Sequence, residues 1–114
     1  MQYALLTCTD ENAVISDDER SRRATAVSLF EDEMREHGVL LASEHLCRAE
    51  TATTVRCWDG GDVIIADGPF AGTREQIGGL FVIECKDLDA AIEVATRVPA
   101  AWYGTVEVRP LRSE

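Results

Sequence analysis

The sequence has no long apolar run and few basic residues. No uninterrupted apolar stretch approaches the roughly 20 residues that a membrane-spanning helix needs, and the segment before Thr7 lacks the basic residues that open a secretory signal peptide. Lysine and arginine total 11 against 21 acidic residues, so the formal charge is -10 at pH 7. Such a charge repels phosphate backbones and anionic lipid headgroups. We therefore expect a cytoplasmic protein that binds neither nucleic acid nor membranes.

The sequence also lacks cysteine pairs at redox or zinc spacing. Its four cysteines are far apart: Cys8, Cys47, Cys57 and Cys85. This spacing favours free thiols in a reducing compartment. His45 and Cys47 stand two residues apart, but no third ligand follows at a useful spacing, so we predict neither a metal nor a cofactor. No glycine-rich phosphate loop or Ser-His-Asp motif is visible, and His45 stays a candidate ligand-binding residue.

The sequence does contain short apolar segments, which are typical of strands, and two segments whose apolar residues recur at helical spacing. The length of 114 residues fits one domain, residues 1–114. Helices are predicted to begin after the capping residues Ser16 and Asp87 and to end near Gly38 and Pro99. Residues 16–19 have the Ser-x-x-Glu spacing of a capping box, in which the last residue reaches back to the cap. The apolar residues predicted to form one stripe on each helix are Val27, Phe30 and Met34 in the first, and Leu88, Ala91, Ile92 and Ala95 in the second. Strands are predicted over residues 2–7, 39–44, 53–58, 63–66, 79–84 and 106–109. This order predicts an α+β fold, a ferredoxin-like split βαβ sandwich with an inserted hairpin.

Two helices can cover only one face of the predicted sheet. The strand over residues 79–84 nevertheless has apolar residues on both of its faces, with Phe81 and Ile83 on one face and Leu80 and Val82 on the other. A second copy of the chain is the simplest cover for the other face, which predicts a homodimer.

Charged residues share that second face. Alternation groups Leu40 and Ala42 with Glu44, and it places three more charged residues on the same side: Glu84, Glu107 and Arg109. Two interpretations stay open. The four charged residues line a cavity between the sheet and a partner, or they end their strands in solvent.

The segment over residues 67–79 is dense in functional groups. Gly68 precedes a proline, which predicts a tight turn in which Asp67 bonds back to nearby N–H groups. Thr73 and Glu75 add a hydroxyl and a carboxylate before the two glycines that open a strand. The loop is either a binding site or a purely architectural turn.

The Asp-Gly-Pro-Phe string at residues 67–70 resembles the motif of the YCII-related, DGPF-motif proteins. The resemblance covers nearly the whole chain, through residues 3–6, 10–11, 51–56, 67–79, 87–91, 98–101 and 103–110. It implies a dimeric α+β barrel. The wider superfamily includes muconolactone-isomerase-like enzymes and an aromatic dehydrochlorinase, and many DGPF members accompany extracytoplasmic-function sigma factors.

The chain departs from the family pattern at three places. Residues 7–9 are Thr-Cys-Thr where relatives carry a histidine that works with an aspartate, so that acid/base pair is not carried over. Gly72 replaces a usual acidic residue and Trp102 a common arginine. Asp67, Thr73 and Glu75 match the motif.

These observations give two functional hypotheses. In the first, the homodimer binds a compact organic molecule, such as an aromatic one, in its barrel. It acts on this molecule as an isomerase- or lyase-like enzyme, in which Asp67 or Glu44 transfers a proton. The ligand-binding candidates are Phe70, Thr73, Glu75, Glu84, Arg109 and His45. In the second, the protein is a non-catalytic interaction or sensory module that serves a sigma factor.

Overall fold

A computed structural model describes residues 1–113. The elements in chain order are β1 (Gln2–Thr9), α1 (Asp17–Glu36), β2 (Leu40–His45), a 3-10 turn (Ala49–Thr51), β3 (Thr53–Cys57), β4 (Val63–Asp67), β5 (Gln76–Glu84), α2 (Leu88–Arg97), α3 (Ala100–Tyr103) and β6 (Thr105–Pro110). Strands β2, β5, β1 and β6 form one antiparallel sheet in that order, and β3 and β4 form a separate hairpin. The predicted ferredoxin-like α+β fold with an inserted hairpin is confirmed.

The caps of α1 and α2 follow the sequence signals. The Ser16 hydroxyl accepts a hydrogen bond from the Glu19 N–H at 3.0 Å, and the Asp87 carboxylate accepts one from the Ala90 N–H at 2.9 Å. The Glu19 side chain does not reach back to the cap as a capping box predicts. It binds two arginines one turn later, Arg22 and Arg23. Gly38, at φ 72°, ends α1 in the left-handed conformation that glycine adopts without strain.

The core lies between the helices and one face of the sheet. Its largest fully buried side chains are Tyr3, Leu5, Phe81, Ile83 and Val98. The predicted stripe of α1 is confirmed, since Phe30 and Met34 are buried with Val27 packed beside them.

The predicted stripe of α2 is only partly correct. Ala91 and Ala95 are buried, whereas Leu88 and Ile92 stay about half exposed. Helix α2 therefore meets the sheet through small residues, which allow a close approach, and its larger aliphatic side chains lie at the edge of the contact.

Strand β2 contains a bulge that changes one predicted orientation. Leu40 lies opposite Ile83 and Ala42 lies opposite Val82, so Leu41 is an extra residue on β2. Because the extra residue reverses the alternation, Leu40 is buried under the helices while Ala42 and Glu44 face the other way. The prediction that Leu40 shares a face with Glu44 is wrong for this reason.

The opposite face of the sheet carries no helix in the part of the chain that the structure describes. We call it the open face. Its apolar centre comprises Ala4, Leu6, Leu80 and Val82. The molecule is accordingly thin, with a shortest extent of 19 Å against 48 and 44 Å for the other two.

The β3–β4 hairpin turns through Asp59 and Gly60, both at positive φ (42° and 72°). The two strands pair Val55 with Ile65 and Cys57 with Val63, so these four side chains share one face of the hairpin. All four are exposed, and Ile65 keeps 67% of its surface accessible. The hairpin thus presents an apolar face to which no described element is packed.

None of the helices within residues 1–113 combines the length and the apolar character that crossing a membrane would take.

Candidate functional site

A cleft of about 250 Å³ lies between α1, α3 and the sheet. We call it the inner cleft. Its lining combines two threonines of β1 with an arginine, a histidine and a tyrosine over an apolar floor: Thr7, Thr9, Arg23, Val27, His45, Gly78, Phe81, Val98, Ala100 and Tyr103. A cavity with an apolar floor and a few convergent polar groups is typical of a small-molecule site.

Three side chains from α1 and β2 form a hydrogen-bonded group at this cleft. The Ser43 hydroxyl donates to the Glu31 carboxylate, and His45 Nε2 lies 3.1 Å from Glu31 Oε2. Glu31 keeps 16% of its side-chain surface accessible, whereas His45 is about half exposed, with its ring edge-on to Phe81. Burial by itself would raise the pKa of Glu31, but the hydrogen bonds from Ser43 and His45 outweigh it and lower that pKa.

The charged state of Glu31 determines what His45 can do. A carboxylate can only accept, so His45 Nε2 carries the proton that it shares with Glu31. In the neutral ring, Nδ1 then keeps a free lone pair, and Nδ1 lies on the side of Gly79. His45 is therefore oriented as a proton acceptor with a fixed tautomer.

Gly79 provides the space for this arrangement. A Cβ at position 79 would lie 3.0 Å from the Glu44 carbonyl oxygen and 3.2 Å from His45 Nδ1. It would also lie 3.3 Å from the Thr7 hydroxyl. The absence of a side chain thus lets Thr7 and His45 approach each other across β5.

The other wall of the inner cleft is an arginine stacked on a tyrosine. The Arg23 guanidinium carbon lies 3.8 Å from the centroid of the Tyr103 ring, and Arg23 Nε donates to Glu19 at 3.1 Å. Burial raises the pKa of Tyr103, and the positive charge of Arg23 opposes this only in part. Tyr103 is consequently a neutral hydroxyl near pH 7, and Arg23 supplies the positive charge of the cleft.

Close packing of α3 against β1 positions Tyr103. A Cβ at Gly104 would overlap the Cys8 carbonyl oxygen and lie 2.9 Å from the Thr9 methyl group. Only glycine fits at the end of α3 at this distance from the strand.

The motif loop lies apart from the inner cleft. Asp67 is exposed at the end of β4, opposite Thr53. Gly68 has φ 95°, its N–H donates to the Ala52 carbonyl at 2.7 Å, and its carbonyl accepts from the Thr54 hydroxyl at 2.8 Å. The chain bends at Gly68 as predicted, but these two bonds join Gly68 to β3 and the residue before it. Among the hydrogen bonds of residues 1–113, none runs from a nearby N–H to the Asp67 carboxylate, so the predicted bonding of Asp67 within the turn is wrong.

The other motif residues contact the loop itself, the start of β6 or the hairpin. The Thr73 hydroxyl donates to the Glu75 carbonyl, and the Glu75 carboxylate accepts from Thr105 at 2.7 Å. Phe70 is 78% exposed and lies near Arg56, which also stacks on Trp58.

The remaining predicted residues lie on the open face. Glu44 is opposite Leu80, Glu84 pairs with the Met1 amino group at 2.6 Å, and Arg109 pairs with Glu107 at 2.6 Å. Among the predicted site residues, the structure brings only His45 to the inner cleft.

Sequence reasoning missed most of the cleft. The overlooked polar residues of its lining are Thr7, Thr9, Arg23 and Tyr103. The two hydrogen-bonding neighbours of His45, Glu31 and Ser43, were also overlooked. The alternation of side chains along β2 does predict part of the site. Ser43 and His45 alternate with Glu44, so they belong on the side of the sheet that the helices cover. Within residues 1–113, no three His, Cys, Asp or Glu side chains are grouped as metal ligands.

These features define a small α+β protein with a ferredoxin-like sheet, an open face and a polar cleft under its helices. The model of the YCII-related domain matches residues 1–113, and the chain belongs to this family. An uncharacterised protein of Rhizobium meliloti (strain 1021) is 36% identical over 115 residues, which cover 97% of this chain and 92% of that protein.

Proposed function

We propose that the protein binds a compact organic molecule in the inner cleft and transfers a proton through His45, in the manner of an isomerase or a lyase. The contact of 3.1 Å between His45 Nε2 and Glu31 Oε2 carries this proposal. It orients a proton acceptor beside the hydroxyls of Thr7 and Thr9 and the positive charge of Arg23.

The composition of the cleft indicates the kind of ligand. Phe81, Val27 and Val98 offer an apolar surface to a ring-sized body. The Thr7 hydroxyl donates its proton to the Gly79 carbonyl at 3.2 Å, so the donors for a ligand are the Thr9 hydroxyl and Arg23. They suit a carbonyl or carboxylate group on that body, because both are hydrogen-bond acceptors. A volume of about 250 Å³ fits a molecule of roughly one ring.

The experiment begins with a thermal-shift screen of small phenols, lactones and hydroxylated aromatic acids. Hits are titrated into protein labelled with ¹⁵N-histidine. We expect the ring nitrogens of His45 to shift while those of His37 do not. His37 is the internal control, because it caps α1 with Nδ1 beside the Glu33 carbonyl and lies outside the inner cleft.

Variants then separate binding from proton transfer. We expect His45→Gln to keep the fold and to lower turnover of a hit by about a hundredfold or more. His37→Gln should leave turnover unchanged. Equal turnover in His45→Gln and the wild type would remove His45 from the mechanism.

We further propose that the protein acts as a homodimer in the cytoplasm, through the open face and the exposed hairpin. Leu80 and Val82 on the open face, and Val55 and Ile65 on the hairpin, are apolar side chains without a described cover. Their burial against a second copy would remove two apolar surfaces from water.

Sedimentation equilibrium tests the dimer. We expect about twice the chain mass for the wild type, and about one chain mass for Leu80→Asp. Val14→Asp is the matched control, because Val14 is an aliphatic residue that is 99% exposed in the loop before α1. A wild-type monomer at micromolar concentration would overturn the proposal.

The exposed hairpin also favours a second candidate function, the interaction module. This candidate is tested by co-expression with a sigma factor. It is favoured over the dimer if the protein is a monomer and if binding of the sigma factor requires the hairpin residue Ile65.

A further inference from the structure

The β3–β4 hairpin has two free edges, because within residues 1–113 each of its strands pairs only with the other. The two edges differ in composition. Strand β3 carries Arg56 and two threonines, whereas β4 begins with four consecutive apolar residues at positions 63–66, and all of β4 is exposed. Natural proteins protect an edge strand with charged side chains, proline or a bulge, and β4 has none of these before Asp67. The composition of β4 is therefore typical of a strand with a neighbour on each side.

The hydrogen bonds of the hairpin show which backbone groups lie on the free edge of β4. The Trp58 N–H donates to the Asp62 carbonyl at 3.0 Å, so this pair is hydrogen-bonded. The pair of Val55 and Ile65 lies three positions further along the ladder. It is a non-hydrogen-bonded pair, because the two kinds of pair alternate in an antiparallel ladder. The N–H and C=O groups of Ile65 consequently point away from β3.

The same alternation applies to every second residue of β4. Three residues direct both backbone groups to the free edge: Val63, Ile65 and Asp67. In the part of the chain that the structure describes, no backbone hydrogen bond reaches these groups. The edge thus presents a row of donors and acceptors at the spacing that a further β-strand provides.

This row is complementary to itself across a two-fold axis. With the axis at Ile65, the N–H and C=O of Ile65 bond to those of the partner's Ile65, and Val63 lies opposite the partner's Asp67. The two Asp67 carboxylates then lie at opposite ends of the contact, so no like charges face each other. A second copy of the chain therefore fits this edge in both hydrogen bonding and charge.

We propose that β4 pairs with β4 of a second copy in antiparallel orientation, so that two hairpins form one four-stranded sheet. This inference rests on the proposed homodimer, because it specifies how the hairpins take part in it. An isolated two-stranded hairpin is only marginally stable in water, and the pairing extends it to four strands. The apolar side chains on one face of each hairpin then form a single continuous surface: Val55, Cys57, Val63 and Ile65.

Amide hydrogen exchange followed by NMR tests the pairing without any substitution. The outward amides of Val55 and Ile65 lie opposite each other on the two edges of one hairpin, so opening of the hairpin exposes both equally. We expect the Ile65 amide to exchange at least about tenfold more slowly than the Val55 amide, because only Ile65 gains a partner. Equal exchange rates for the two amides would overturn the inference.

Proline substitutions test the same contact through the dissociation constant of the dimer. Ile65→Pro removes an outward N–H from β4 and leaves the ladder to β3 intact, since the lost donor points away from β3. We expect it to raise the dissociation constant by about tenfold or more in sedimentation experiments. Val55→Pro is the matched control, because it removes the outward donor of the opposite residue on the other edge and should leave the dissociation constant unchanged. An equal rise in both variants contradicts pairing through β4.

The outcomes separate this inference from the proposed homodimer. If Leu80→Asp dissociates a wild-type dimer, but Ile65→Pro has no effect and the Ile65 amide is unprotected, the inference is wrong and the open-face dimer stands. If the Ile65 amide is protected and Leu80→Asp leaves the sedimenting mass unchanged, β4 forms the dimer contact and the proposed role of the open face is wrong. A wild-type monomer overturns both.

Discussion

Glu31 Oε2 and His45 Nε2 lie 3.1 Å apart, although 14 residues separate them and they belong to α1 and β2. The register of β2 against β5 produces this contact, since His45 lies opposite Gly79 on the helix side of the sheet. The pair therefore depends on the assembled fold, and the lowered pKa of Glu31 is a property of the folded state.

Glu31→Gln should change how stability depends on pH. Because the pKa of Glu31 is lowered below its ordinary value of 4.5, the ionised carboxylate stabilises the fold fully above pH 4.5. This contribution is lost as pH falls through the lowered pKa. We expect Glu31→Gln to reduce the free energy of unfolding by about 1–2 kcal/mol at neutral pH and to differ less from the wild type in acid.

Urea unfolding near neutrality and at about pH 3 measures this difference. Glu36→Gln is the control, because Glu36 is exposed at the end of the same helix. A constant difference between Glu31→Gln and the wild type across pH would show that the ionised carboxylate does not stabilise the fold.

Gly104→Ala should destabilise the protein by about 1–3 kcal/mol, because its methyl group would overlap the Cys8 carbonyl oxygen. The φ of Gly104 is -157°, which any residue adopts, so the cost is steric. Gly72→Ala is the matched control: no atom lies within 4 Å of a Cβ there, and we expect a change below about 1 kcal/mol. Thermal unfolding compares the two, and equal melting temperatures would contradict the close packing of α3.

Asp67→Asn should cost less than about 1 kcal/mol, because Asp67 is exposed and the bend beside it is joined to β3 through the backbone of Gly68. Gly68→Ala should cost more, about 1–2 kcal/mol, since its φ of 95° strains any side chain. The predicted catalytic role of Asp67 requires that Asp67→Asn also lowers turnover of a hit by about a hundredfold. Full turnover in that variant would leave Asp67 an architectural role.

Iodoacetamide should modify Cys47 before Cys8 and Cys85 near neutral pH. The Cys47 thiol is exposed and lies outside the hairpin and the strands of the open face. Burial raises the pKa of Cys8, with Glu107 and Glu75 adding to the effect, and burial likewise raises that of Cys85, so both stay protonated and unreactive. Mass spectrometry of timed samples gives the order. Rapid labelling of Cys8 would contradict the described surroundings of its thiol.

Local signals predicted the elements well because they act over a few residues. Ser16 and Asp87 cap helices as their spacing indicates, and the alternation of Phe81 and Ile83 with Leu80 and Val82 distinguishes the two faces of β5. These effects depend on backbone geometry within one turn or one strand.

The site could not be predicted to the same extent because it depends on contacts between distant segments. The bulge at Leu41 changes which residues of β2 share a face, and no residue type marks it. Tyr103 reaches the inner cleft because Gly104 lets α3 approach Cys8, a relationship between residues nearly a hundred positions apart. Neither contact can be predicted from amino-acid composition or from local periodicity.

The hairpin enters and leaves the fold at one point, because the Gly68 N–H donates to the Ala52 carbonyl at 2.7 Å. When the two ends of an insertion lie close together, a change in its length alters the loop-closure entropy only a little. In addition, β3 and β4 pair only with each other and not with the other four strands. The ferredoxin-like sheet can therefore keep its register while the hairpin is lengthened, shortened or exchanged. The hairpin is a modular appendage, and its length and sequence can change without altering the residues of the inner cleft.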